Sequence, residues 1–181
     1  MTLFIKKKPK DYILYSAIIL VGIILDQLTK FLVTKYMTLY QSIPLIKGFL
    51  HLTYTTNDGA AFGMMDGQRW VFIVVSTLAI VAFIAYLYLG HADNMLYAIS
   101  LSMVISGGIG NMIDRLVLSY VVDFFYFKLI DFPVFNVADI YVVVGIFLLA
   151  FLVFFLYKEE ELDFIFGEAD KKEKIVDKNM E

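Results

Sequence analysis

The sequence predicts an all-α membrane core of four transmembrane helices carrying a small extracytoplasmic β-sheet. Three observations lead there. Of 181 residues, 60% are apolar or aromatic and 18% are charged, against about 45–50% and about 25% in an ordinary soluble domain. The charges crowd at the ends: residues 1–10 hold four lysines and residues 158–181 hold fourteen charged residues, which leaves fifteen for the 147 positions between. Within that middle region lie four stretches long enough to cross a hydrocarbon core, which takes roughly 20 helical residues. This pattern excludes a disordered chain and a soluble globular domain. A net charge of −3 supplies no basic face, so nucleic acid is excluded as a partner.

The first span is expected over about residues 12–33, uncharged from Tyr12 for fourteen residues. The preceding Lys6-Lys7-Lys8-Pro9-Lys10 resembles the start of a secretory signal peptide. No small-x-small cleavage site follows, and the run continues into Asp26-Gln27-Leu28-Thr29-Lys30, so a retained span is expected. The others are expected over 70–89, 94–113 and 140–157. Their length decides for helix where periodicity cannot. Residues 1–157 read as a single membrane domain and 158–181 as a charged cytoplasmic tail.

Lysine and arginine bias orients the bundle. With both termini cytoplasmic, nine of the fifteen basic residues lie inside, and six (Lys30, Lys35, Lys47, Arg69, Arg115, Lys128) lie outside on longer loops. The 90–94 connection is then a cytoplasmic turn, and residues 34–69 and 114–139 are outside. Leu50, Leu52 and Tyr54 alternate with His51, Thr53 and Thr55, the period of a half-buried strand. The β-branched and aromatic run from Val121 to Phe127, with Phe132-Pro133-Val134-Phe135 after it, adds to a small outer sheet. Open strand edges are excluded from hydrocarbon, so the sheet must lie at or above the membrane surface.

In this topology the unusual polar residues gather at the outer rim, where ionisable groups are costly and point to function. Each also has a structural reading. Asp26 and Lys30, four apart, can form an ion pair. Asp114 and Arg115 read as an interfacial pair at the end of span three. Ser102, Ser106 and Gly110 form a small-residue stripe for helix packing. Asn57-Asp58-Gly59 is a turn sequence, and Asp139 stands where it could cap span four. Asp123 and Asp139 have no obvious partner cation. Brought together at a poorly solvated rim, they would share one proton and provide an acid and a base.

Several other chemistries are excluded. The chain has no cysteine, so disulfides, thiolate metal sites and a cysteine nucleophile are ruled out. There is no His-Glu-x-x-His zinc helix, no Gly-x-Ser-x-Gly elbow and no Gly-x-Gly-Asp motif. Of the two histidines, His51 and His91, this topology puts His91 on the opposite side. No metal or cofactor is expected. A small proton-coupled transporter subunit is the alternative; neither an inverted repeat nor a carboxylate on the inner half of a span supports it.

Five motifs in order, Asp26-Gln27-x-x-Lys30, Asn57-x-Gly59-Ala60-Ala61-Phe62, Gly107-Gly108-x-x-Gly110-Asn111-x-x-Asp114-Arg115, Val121-Val122-Asp123-Phe124 and Phe135-Asn136-x-Ala138-Asp139, resemble those of lipoprotein signal peptidase (signal peptidase II). The resemblance covers about residues 12–157. It implies a four-helix aspartyl peptidase of the bacterial cytoplasmic membrane, with an extracytoplasmic β-cradle and its active site on that side. The implied partners are membrane lipids and diacylglyceryl-modified prolipoprotein substrates, cut just before the lipidated cysteine. By motif position the catalytic pair is Asp123 and Asp139. Asn57, Asn111, Arg115 and Asn136 would line the site, while Asp26, Lys30, Gly59, Gly110 and Asp114 would support it. Ile140 departs from the family, many of whose members carry a small hydroxyl residue there.

Overall fold

The computed structural model describes residues 9–59, 69–89 and 94–155. Residues 1–8 with their lysines, Ala60-Ala61-Phe62-Gly63, the 90–93 turn and the chain from 156 on lie outside the described residues. Four helices, α1 (Pro9–Tyr36), α2 (Arg69–Tyr88), α3 (Met95–Val117) and α4 (Val137–Phe155), are all long and apolar enough to span a membrane. The helices overrun the expected spans: α1 begins at Pro9 and ends at Tyr36, α3 continues to Val117, and α4 begins at Val137. A hydropathy window closes at the first charge, whereas a helix continues until its backbone bonds are capped.

Helix α3 is central and packs against the other three. Lipid gives helices no hydrophobic reason to associate, so close backbone approach through small residues must do the work. The expected serine–glycine stripe does this against α1: Gly22 faces Ser106, and Gly110 faces Asp26. On the neighbouring face Gly107 meets the Ala138 carbonyl of α4, and Gly145 comes up against Ser100. The Ser100 and Ser102 hydroxyls donate to the Leu96 and Ala98 carbonyls at 2.8 and 2.7 Å, which keeps their polar atoms paired inside the bundle. Tyr15, Ile80, Leu87, Leu101 and Ile105 fill the interior beside them.

A three-stranded antiparallel sheet, in the order β1 (Ser42–Ile46), β2 (Leu50–Asn57), β3 (Val121–Phe127), closes one end of the bundle. Both flanking connections are short, so the sheet sits where α1 and α3 end and α4 begins. Val33 of α1 packs with Val122 and Phe124 of β3, flanked by Leu52 and Tyr54, and this cluster fixes the sheet to the helices. The sequence reading found β2 and β3 but missed β1. Pro44 hides that strand, and is tolerated there because β1 is an edge. The β1–β2 hairpin turns at Gly48, whose φ of 78° suits glycine. Within β2 it is His51 that is buried, while Leu50, Leu52 and Tyr54 are half-buried. The His51 Nδ1 lies 3.1 Å from the Ser42 hydroxyl, and its ring stands edge-on to Tyr126.

The packing makes a prediction. A methyl group at Gly107 would collide with the Ala138 backbone carbonyl, whereas at Gly108 it would meet only the Ile80 side chain, at 3.2 Å. Gly107→Ala should therefore cost about 1–3 kcal/mol. Gly108→Ala should be near neutral, since better helix propensity offsets about 1 kcal/mol. Thermal unfolding in detergent checks this; equal melting temperatures would contradict the packing.

Candidate active site

Three ionisable side chains are buried where α1 meets α3. Lys30 Nζ lies 2.9 Å from Asp26 Oδ2 and 3.0 Å from Asp114 Oδ2, and it donates to Asn111 Oδ1 at 3.0 Å. These three acceptors match the three protons of the ammonium group. Each carboxylate then reaches a further element. Asp26 Oδ1 accepts from the Ala138 backbone N–H at 2.9 Å, one of the unpaired N–H groups in the first turn of α4. Asp114 Oδ2 accepts from Val122 N–H of β3 at 3.1 Å. Gln27 Nε2 adds bonds to Asp114 Oδ1 (2.9 Å), Asp26 Oδ2 (3.1 Å) and the Gly110 carbonyl (3.2 Å). Gly110 has to lack a side chain, since a Cβ there would lie 2.5 Å from Asp26 Oδ2.

Beside this cluster stand Asp123 and Asp139. Asn136 precedes α4 as its cap: its Oδ1 accepts from Asp139 N–H, and Asp139 Oδ2 accepts from Asn136 N–H, both at 3.0 Å. This is a reciprocal capping box. Asn136 Nδ2 has two protons left, and they go to Asp123 Oδ1 at 2.7 Å and Asn111 Oδ1 at 3.0 Å. Asn111 Nδ2 donates to Asp139 Oδ1 at 2.7 Å. Asn57 Nδ2 donates to Asp123 Oδ2 at 3.0 Å, while Asn57 Oδ1 accepts from Gly59 N–H at 3.1 Å and so holds the turn that was expected there.

Each carboxylate oxygen of the pair therefore accepts one amide proton and keeps a lone pair for a further partner. Asp123, only 2% exposed, has its pKa pushed up to about 7, first by burial and then by the charge of Asp139. Hydrogen bonds from Asn57 and Asn136, and the charge of Lys30, oppose the shift without cancelling it.

Both carboxylates line a cavity of about 430 Å³. Asn57, Gly59 and Arg115 complete its polar part, and Phe132, Pro133, Val134, Phe135, Ile140, Val143 and Val144 form its apolar walls. Arg115 extends over the Phe72 ring, 5.1 Å from its centre. Its contacts with the Gly59 and Asn111 carbonyls are long, at 3.4 and 3.5 Å. Among the described residues, no three His, Cys, Asp or Glu side chains converge as a metal site.

The structure thus gathers all eleven residues singled out from the sequence. The expected Asp26–Lys30 pair forms, with Asp114 as an additional partner. The expected Asp114–Arg115 pair does not. Adjacent helical residues point about 100° apart, so Asp114 turns inward to Lys30 while Arg115 turns into the cavity. Asp139 is not the cap itself but the third helical residue, with Asn136 as the cap. Gln27 and the wall residues Phe132, Pro133, Val134, Val143 and Val144 were missed. Gln27 stood within a quoted motif, and the wall residues carry no polar signal.

Comparison with known proteins agrees with this geometry. A family model described as "Signal peptidase (SPase) II" matches residues 18–155. Proteins named "Lipoprotein signal peptidase" from Streptococcus pyogenes serotype M5 (strain Manfredo) and serotype M18 (strain MGAS8232) are each 43% identical over 152 residues, covering 84% of this chain and 97% of theirs. A bacterial membrane enzyme structure obtained by the in meso method at 2.3 Å resolution superposes with a TM-score of 0.74 at 29% identity, covering 80% of this chain and 92% of that one. A second, at 1.9 Å, gives 0.72 at 29% identity, with coverage of 78% and 92%. Fold, site and matches together define a multi-pass membrane protease. The chain belongs to the signal peptidase II family. The transporter alternative finds no support in these matches.

Removing the ammonium tests the buried cluster. Lys30→Met would leave two carboxylates buried without their cation, which should destabilise the protein by about 3–5 kcal/mol. Adding Asp114→Asn should recover part of that loss in thermal unfolding. A Lys30→Met protein as stable as the wild type would show that the cluster is hydrated rather than dry.

Proposed function

We propose that this chain removes signal peptides from diacylglyceryl-modified prolipoproteins, cutting just before the lipidated cysteine, with Asp123 and Asp139 as an aspartyl dyad. The observation that carries the reading is the pair itself: two carboxylates in one cavity, joined through Asn111 and Asn136, one with a pKa pushed up to about 7. The working orientation keeps both termini cytoplasmic and the sheet and dyad on the extracytoplasmic side of the bacterial cell membrane. Residues 1–157 act as one domain.

The chemistry follows from burial. Asp123 is the better shielded carboxyl and serves as the acid, and the half-buried Asp139 serves as the base. Asp139 takes a proton from water as that water attacks the scissile carbonyl carbon. Asp123 gives its proton to the departing amine as the C–N bond breaks. The proton on Asp139 then passes to Asp123 and resets the pair. Arg115 has donors to spare beyond its two long contacts and meets the negative charge that develops on the carbonyl oxygen. The lipid chains hold the scissile bond at rim depth, with about 0.8 kcal/mol available per buried CH₂.

Asp123→Asn and Asp139→Asn should each lower cleavage at least about a hundredfold while leaving a folded protein. A gel-shift assay with purified protein and lipidated precursor checks this, with the same precursor bearing an unmodified cysteine cut poorly in parallel. Near-wild-type turnover by either variant would overturn the dyad.

The raised pKa of Asp123 sets the direction of the pH dependence. The acid form exists below that value and is lost above it, so the cleavage rate should fall as pH rises through about 7. A rate still climbing well above pH 7 would mean that Asp123 does not supply the proton.

A further inference from the structure

One stretch of the cavity wall contains backbone groups that no neighbouring strand pairs. Residues 132–134 have no regular secondary structure, and Phe135 forms an isolated antiparallel bridge with Phe125. Phe135 spends both backbone groups on β3: its N–H donates to the Phe125 carbonyl at 3.0 Å, and its carbonyl accepts from Phe125 N–H at 2.8 Å and Phe124 N–H at 3.0 Å. Phe132 is tied to β3 as well, its N–H donating to the Phe127 carbonyl at 3.2 Å, so Pro133 and Val134 bridge two anchors on that strand. Val134 lines the cavity that holds Asp123 and Asp139, and among the described residues its N–H and C=O have no backbone partner.

A buried donor and acceptor left unpaired are costly, so an exposed pair at the wall of a substrate cavity marks a place for a partner. Between the two anchors Pro133 has no N–H to offer, which leaves Val134 as the residue there with both groups to give. Ile140 and Val143 contribute apolar wall to the same cavity.

We propose that Val134 is a strand slot: its N–H and C=O pair with one residue of the substrate, extended across the cavity, and so set the register of the scissile bond against the dyad. This rests on the prolipoprotein reading above and adds how the peptide is held. The added strand gives affinity through main-chain bonds, while the neighbouring walls select side chains. Val134 is a positioning residue. It takes no part in proton transfer.

The test uses the full-length enzyme and lipidated precursors that are N-methylated at one backbone position at a time, on both sides of the cut. Methylation of the residue paired with Val134 should lower kcat/KM about five- to tenfold, the loss of one net hydrogen bond. Its immediate neighbours, whose N–H groups point the other way, should be affected less. On the enzyme side, Val134 is replaced by α-hydroxyisovaleric acid, which keeps the side chain and exchanges the N–H for oxygen. That enzyme should itself cleave about five- to tenfold more slowly, and a precursor whose paired residue carries an ester carbonyl, the weaker acceptor for that N–H, should lose little further in it, a coupling that general loss of structure would not produce. A flat scan, or effects that simply add in the double change, would overturn the slot while cleavage of the unmethylated precursor upheld the substrate assignment. If the wild-type enzyme does not cut the unmethylated precursor at all, the substrate assignment falls, and the slot with it.

Discussion

The arrangement rests on one buried ammonium group. Lys30 brings two carboxylates and an amide oxygen within 3.0 Å of Nζ, in a place where an isolated charge would be very costly. Because the ammonium needs both carboxylates, α1 and α3 can pack here in one rotation and one register. Asp26 then bonds the first turn of α4, and Asp114 bonds the start of β3. Four elements are tied by three side chains. The same ammonium group orients Asn111, whose other end donates to Asp139. The electrostatics of the hub and the geometry of the dyad are thus one network, and neither can be adjusted alone.

The chemistry of the dyad depends on what kinds of groups surround it. Asp123 and Asp139 are held by Asn57, Asn111, Asn136 and a backbone N–H. Amide donors orient a carboxylate without neutralising it. A guanidinium in direct contact would favour ionisation of both groups and leave no acid at neutral pH. Arg115 is close enough to interact electrostatically with both carboxylates, yet its hydrogen bonds go to carbonyl oxygens. The cation sits at a distance from the dyad while the amides make the contacts. That division fixes both carboxyl groups without a direct contact from a cation.

Much of this was legible in the sequence, for physical reasons. A charge in a span is expensive enough that Asp26, Lys30 and Asp114 stood out, as did Asp123 in its aromatic run. Helix spacing paired Asp26 with Lys30. What the sequence could not carry was orientation. Asp114 and Arg115 are neighbours that face different ways, and only the packing of α3 against α1 shows which turns inward. Strand β1 was hidden because Pro44 lowers a local signal that pairing with β2 overrides. Gln27 reads as an ordinary polar residue until α3 brings the Gly110 carbonyl and Asp114 to its amide beside Asp26. Val134 is the extreme case, because its contribution is made by the backbone, which is the same for almost every residue.

The membrane gives a physical reason for the proposed backbone slot. A signal sequence crosses hydrocarbon as a helix because its own hydrogen bonds satisfy every backbone group. A protease must unwind the segment it cuts, since a scissile carbonyl inside a helix is shielded and already bonded. Unwinding in a place with little water leaves donors and acceptors bare, each at a cost of about 1–3 kcal/mol by mutational measures. An enzyme that provides replacement partners lowers that cost where it places the carboxylates. The rim is suited to this, since the sheet brings β3 edge groups next to the first turn of α4. Asp123 comes from that strand and Asp139 from that turn, so the surface able to accept an unwound peptide carries the residues that would cleave it.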